Sequence, residues 1–402
     1  MMKKSLLGAA LATATLLGGL HAHAEVKIGF LGGFTGPIES MTPNILAGAQ
    51  LAQSQINAQG GLLNGQRFVM PTGDTTCADA AAASNAGDRM VNTERVTAIV
   101  GALCTGATIA VANNAAVPGG VVMISPASTA PAVTEINDNG LVFRTVPSDA
   151  FQGEALAHLL INKGIREVVS TYVNNDYGRG LAMQFKATYE SLGGYVGDNL
   201  AHEDNRADYR SELGSLSSHG IENLIVFAYA DSSGQTILRQ AHESGAFTQY
   251  VGVDGMATDG LIQSVGADVV TGMIATRPGS PDLPGADLFA AAAAEAGFDH
   301  NAVFSAQAYD AAFILALAIE KNGSASREGL ADAVRAVATA PGEVILPGEW
   351  ERAKRLIAEG VEINYEGAAG QHEFDENGDI QGVVVEMVMR DGRWVTLGQI
   401  DF

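Results

Sequence analysis

From residue 26 onward, short runs of β-branched and aliphatic residues alternate with longer stretches whose apolar positions recur at helical spacing. That rhythm predicts βαβ units on parallel sheets. The first cycle reads as a strand over 26–31, a glycine-rich loop Gly32-Gly33-Phe34-Thr35-Gly36-Pro37, and a helix over 43–58 stopped by Gly60-Gly61. Strands over 67–71, 97–101, 121–125 and 141–144, with helices over 78–92 and from Thr105, complete one open α/β lobe. A second set of the same rhythm begins at Ser148, with strands over 167–173, 195–202, 223–228 and 250–253. Beyond Arg277 the pattern turns helical, over 286–296, 303–321, 327–338 and 347–358, with alanine-rich faces suited to packing on a sheet already built. The tail carries two hairpin signals, Asn377-Gly378 and Asp391-Gly392. The expected fold is therefore α/β, with two open doubly wound parallel-sheet lobes. Ligands of such sheets bind at the carboxyl ends of the strands.

The first 24 residues stand apart. Lys3 and Lys4 precede a short apolar run, and Ala22-His23-Ala24 has the small-x-small form of a cleavage site. Export is predicted, with cleavage after Ala24. The run is short for a membrane span, and no later stretch is long and apolar enough to be one. In an oxidising compartment the two cysteines, Cys77 and Cys104, favour a disulfide over two unlinked thiols. Closing a loop of that length would stabilise the fold by roughly 3 to 4 kcal/mol.

The chain has 45 acidic and 23 basic residues, a net charge of −22. Loss of two lysines with the leader takes −22 to −24. Such a surface is the wrong sign for nucleic acid or anionic membranes. Catalytic motifs are missing: no GxSxG elbow, no HExxH, no GxxxxGK[ST] loop. His158, His202, His219, His242, His300 and His372 lack metal spacing. Asp375-Glu376-Asn377-Gly378-Asp379 imitates a calcium loop, but Ile380 stands where that loop requires glycine. A turn explains it better, so no metal or cofactor is expected.

Two strand ends do carry chemistry. Gly101-Ala102-Leu103-Cys104-Thr105-Gly106 runs from a strand into a helix, where free N–H groups and a hydroxyl suit a carboxylate. Ser125-Pro126-Ala127-Ser128-Thr129-Ala130-Pro131 is a second such end. Taken alone, Thr105 and Thr129 read as ordinary helix caps, the more common role.

With these segments stand KIGFLGGFTGPIES, IVGALCTGAT, MISPASTAPAVT, NNDYGRGLA, GQTILRQAHESG, GVDGMA and FDENGDIQG. In that order, from about Val26 to the C-terminus, the chain resembles the branched-chain amino acid type of periplasmic solute-binding protein of ABC transporters. The resemblance implies a type I periplasmic binding fold, a Venus flytrap whose lobes share a multi-strand hinge. Lobe 1 would comprise 25–146 and 278–372, and lobe 2 would comprise 147–277 and 373–402.

It also implies a non-catalytic periplasmic receptor, a monomer, that captures a small zwitterionic amino acid and delivers it to permease subunits. Thr105 and Thr129, with the backbone of Ala127, would hold the ligand carboxylate. Asp254, helped by Thr129, would hold the ammonium. Met41, Tyr177, Tyr229 and Phe304 would surround the side chain, and Cys77 and Cys104 match a pair disulfide-linked in relatives. Met41 stands where relatives with aliphatic ligands often carry an aromatic, Asp254 is one methylene shorter than the usual glutamate, and 341–368 is expected to add a helix to lobe 1. The competing readings are an exported hydrolase, a sensor module for a membrane receptor, and a receptor for a small carboxylate or amide.

Overall fold

In the computed structural model, which describes residues 25–402, the apolar runs become two large sheets. The export segment expected at 1–24 lies outside the described residues. The first sheet holds β1 (Glu25–Gly32), β2 (Arg67–Val69), β3 (Thr72–Asp74), β4 (Ala98–Gly101), β5 (Val122–Ser125) and β6 (Val142–Arg144). Its order is β2-β1-β4-β5-β6, with β3 also beside β1, and every pairing is parallel. Ile28, Phe30, Ile99 and Ile124 are fully buried, as parallel strands covered on both faces require.

The second sheet begins with β7 (Glu167–Val173), β8 (Tyr195–His202), β9 (Asn223–Phe227), β10 (Gln249–Gly252) and β11 (Ile274–Gly279). A small parallel pair, β12 (Glu343–Ile345) and β13 (Ile363–Tyr365), intervenes before β14 (Val383–Arg390) and β15 (Arg393–Gln399). The order is β15-β14-β11-β10-β9-β7-β8, parallel from β11 to β8 and antiparallel at β14 and β15. The chain crosses between the sheets after β6, after β11 and again between β13 and β14. The helix Ser305–Asn322, buried along most of its length, packs on the helix Thr42–Ala58 and against β4 and β5.

Several elements differ from expectation. The strand expected over 67–71 is split into β2 and β3, and Pro71, which has no N–H to give, instead accepts from the Phe30 amide at 2.8 Å. The helix expected from residue 78 starts at Ala80, because Thr76 and Cys77 adopt left-handed backbone and Asp79 caps the amides of Ala81 and Ala82. Strand β11 is absent from the sequence reading, which Pro278 interrupts, yet it pairs with β14 as far as Gly279. Asp391-Gly392 does close the β14–β15 hairpin. Asn377-Gly378 does not join two strands. The Asp375 carboxylate accepts the amides of Asn377 and Asp379, and a Cβ on Gly378 would lie 2.4 Å from the Val142 carbonyl. The turn is pressed against β6, and glycine there serves close approach.

That turn delivers Asp379 to Arg144, a fully buried side chain at the end of β6. The guanidinium makes a two-pronged pair with Asp379, both contacts at 2.6 Å, and also donates to the carbonyls of Thr129 and Ala130 and to the Thr134 hydroxyl. One arginine thus ties the third crossing to the loop after β5.

Candidate functional site

The site forms where neighbouring parallel strands end. On the first sheet, β4 stops at Gly101, whose φ of +117° and position 2.4 Å from the Leu31 carbonyl (for any added Cβ) demand glycine. The chain then turns through Cys104 into the helix Thr105–Val111. β5 stops at Ser125, whose hydroxyl donates to the Ala102 carbonyl at 2.6 Å and accepts the Ser128 amide at 3.0 Å. The two strand ends are thereby joined, with Thr105 accepting the Ala130 amide across them at 3.4 Å. The Cys77–Cys104 disulfide, closing a separation of 27 residues, anchors the residue before Thr105 to the loop after β3.

On the second sheet Tyr177 follows β7, Tyr229 follows β9 and Asp254 follows β10. The two tyrosine rings stack with centroids 4.9 Å apart. Tyr177 donates its hydroxyl to Asp254 Oδ1 at 2.9 Å and accepts the Gly255 amide at 3.2 Å. Gln152 donates to the same Oδ1 at 2.9 Å. Met41, Thr105, Ala127, Tyr177, Tyr229, Asp254 and Phe304 line one cavity between the lobes, with Ile38, Leu103 and Gly255 among the remaining walls. Phe304 reaches it from a left-handed turn capping the helix Ser305–Asn322. Thr129 is not in the cavity wall. Its carbonyl is taken by Arg144 and by the Asp149 amide at 2.7 Å, while its buried hydroxyl has no partner.

Two polar residues of this cluster escaped the sequence reading. Asp149 and Gln152 stand one turn apart on the helix Asp149–Asn162, both wholly buried. Both carboxylate oxygens of Asp149 and the Gln152 Oε1 lack partners. Asp149 sits just after the Ser148 cap, where an acid is ordinary helix chemistry, and that hid it. Burial, and then the Asp254 charge, hold its carboxyl well above the usual range. Asp254 is pushed up to about 6 by burial, against the hydrogen bonds of Tyr177 and Gln152. Asp254 thus presents a desolvated carboxyl to the cavity, with Asp149 and Gln152 buried behind it. The cavity holds only about 20 Å3, room for about one water and not for an amino acid, so a ligand requires its walls to part. A larger chamber of about 790 Å3 lies beyond Met41, but Asp254 lines only the smaller space.

The family model described as the receptor family ligand binding region matches residues 44–391. The chain belongs to this family. Among its relatives is the leucine-, isoleucine-, valine-, threonine- and alanine-binding protein of Pseudomonas aeruginosa, 30% identical over 83% of this chain and 88% of its own length. A Leu/Ile/Val-binding protein of Rhizobium johnstonii is 31% identical over 80% of this chain and 88% of its own. Among solved structures, a leucine-binding protein of Thermotoga maritima superposes with a TM-score of 0.80 at 27% identity, covering 94% of this chain and 99% of that one. The fold is accordingly that of type I periplasmic binding proteins, the solute-binding components of ABC transporters, and the family binds rather than catalyses.

Proposed function

We propose that this receptor works in the periplasm, captures a small neutral amino acid of aliphatic type between its lobes and hands it to membrane permease subunits. The observation that carries this reading is the buried carboxyl of Asp254 in the wall of the cavity between the lobes, opposite Thr105 and Ala127. An α-ammonium would pair with Asp254. The α-carboxylate would take the Thr105 hydroxyl, the first amides of its helix and the backbone of Ala127, while Thr129, outside the cavity wall, supports the loop after β5. The aliphatic side chain would lie among Met41, Tyr177, Tyr229 and Phe304. Among the described residues no basic side chain lines the cavity, and neutral dipoles suit a zwitterion in an acidic protein. Relatives that bind leucine, isoleucine and valine support the ligand class.

Ligand contacts on both lobes favour the closed form. The segment 341–368, with β12, β13 and the helix Trp350–Ala358, packs on the helix Ser305–Asn322, and none of its residues lines the cavity. Calorimetry of the purified mature chain against the neutral amino acids tests the reading. Heat with leucine, isoleucine or valine is expected. Silence for all neutral amino acids, with a signal only from an aromatic acid or a simple amide, would overturn it.

A further inference from the structure

Asp254 lines the cavity between the lobes with a carboxyl that is already half engaged. Both side-chain hydrogen bonds it receives, from the Tyr177 hydroxyl and from the Gln152 amide, arrive at Oδ1 at 2.9 Å. Oδ2 is therefore the oxygen left for a ligand. Tyr177 is itself a wall of the cavity, whereas Gln152 is wholly buried and lines none of it.

The Gln152 side chain is a bracket with two arms. Its Nε2 donates to Asp254 Oδ1 and, at 3.2 Å, to the Thr276 carbonyl. A carboxylate and a carbonyl both accept, so only the nitrogen of the amide fits between them, and both of its protons are used. Thr276 is a fixed anchor, fully buried in β11 and paired with Glu386 of β14. Gln152 stands in the first turn of the helix Asp149–Asn162, the first element after the chain enters the second lobe. The Asp254 carboxyl is thus held by two elements that do not line the cavity.

We propose that Gln152 is a positioning residue for ligand capture: by holding Oδ1 against Thr276 it fixes the Asp254 carboxyl with Oδ2 toward the cavity and favours the ionised form that pairs with an ammonium. The inference rests on the amino-acid reading above. A donor given to a carboxylate lowers its pKa, so removing the Gln152 amide makes protonation of Asp254 compete with the ligand at higher pH. The other titratable groups around Asp254 are Asp149, on the helix that carries Gln152, and Tyr177 and Tyr229, on the segments after β7 and β9. Burial holds both tyrosines well above their usual value, so they stay neutral. Asp149 makes no hydrogen bond with Gln152, and loss of the amide therefore acts on Asp254.

The test is calorimetry with leucine at about pH 8.5 and about pH 6, on the wild type and on Gln152→Met, which keeps the length of the side chain and loses the amide. Wild-type binding checks the parent reading by itself. If leucine, isoleucine and valine all give no heat, that reading fails and this one with it. Given wild-type binding, Gln152→Met should bind more weakly, with a gap that widens at least about fivefold from pH 8.5 to pH 6. That is the factor for a carboxyl whose pKa rises by about one unit from about 6. The ligand's own ionisation is common to both proteins and cancels. A gap of equal size at both pH values is what lost packing alone produces, and it would overturn this proposal while leaving the parent reading intact, as would no gap at all. Should Gln152→Met not fold, Gln152→Asn decides. It keeps an amide but falls about 1.5 Å short of bridging both partners, so the same widening is expected and equal gaps would again overturn the proposal.

Discussion

Asp254, the proposed ammonium partner, shows how burial changes the chemistry of an ordinary acid. It is 3% exposed, receives two side-chain hydrogen bonds and lies within the field of Asp149. Replacing it with alanine removes the proposed ammonium partner on the second lobe, and amino-acid affinity should fall more than tenfold by calorimetry. An unchanged affinity would take Asp254 out of the site. Its pH behaviour follows from the raised pKa. With the folded value near 6 against an ordinary 3.8, the proton favours the ligand-free fold. That contribution is fully present below about 3.8 and is lost as pH rises through about 6. A bound ammonium reverses the preference, because it stabilises the ionised form. Affinity should therefore decline by up to tenfold per unit as pH falls below about 6, while the ligand's own groups keep their charges. Titrations at pH 5 and 7 with equal affinities would contradict it. Asp254 was legible in the sequence through its place in GVDG. Asp149 was not, because an acid after a serine cap has a commonplace explanation and only the tertiary fold removes its solvent.

At the scale of elements, the Arg144–Asp379 pair joins the end of β6 to the turn before β14. Arg144 is fully buried and also holds the carbonyls of Thr129 and Ala130. Asp379→Ala leaves that charge without its partner. The loss should be about 3 to 5 kcal/mol, the range for breaking one side of a buried pair. Urea unfolding measures it, and a change below about 1 kcal/mol, as for a surface pair, would show the bridge to be dispensable. The disulfide makes a second test. Reducing Cys77–Cys104 should cost roughly 3 to 4 kcal/mol by releasing its loop.

These elements also show what a sequence makes legible. The strand-helix alternation of both lobes could be read because parallel strands buried on both faces appear as continuous apolar runs. β11 could not, since Pro278 counts against a strand until β14 is present to pair with its far edge. Asn377-Gly378 read as a hairpin because the dipeptide fits a turn in either setting. Its contact with β6, which decides between them, is made by residues distant in sequence.

At the scale of the whole molecule, closure depends on ties between lobes as well as on the ligand. The Ser40 amide, on the first lobe, donates to the Asp231 carboxylate on the second at 2.7 Å. Ser40 precedes Met41 and Asp231 lies two residues beyond Tyr229, so this tie draws together two walls of the pocket. It lies at the surface, and its worth is correspondingly small, about 1 kcal/mol or roughly fivefold in a binding constant. Because the tie forms only when the lobes meet, Asp231→Ala should chiefly speed ligand departure, with association little changed. Stopped-flow kinetics should show dissociation about fivefold faster, and small-angle scattering should show a ligand-free ensemble shifted toward larger radius of gyration. Equal dissociation rates in the two proteins would mean that the ligand alone holds the lobes together. The sign of the molecule's charge makes that outcome physically distinct. With 45 acidic against 23 basic residues, the lobes repel each other in the mean, so a specific contact across the cleft has to act against the general field. Added salt screens that repulsion, and the rate difference between wild type and Asp231→Ala should accordingly narrow as ionic strength rises.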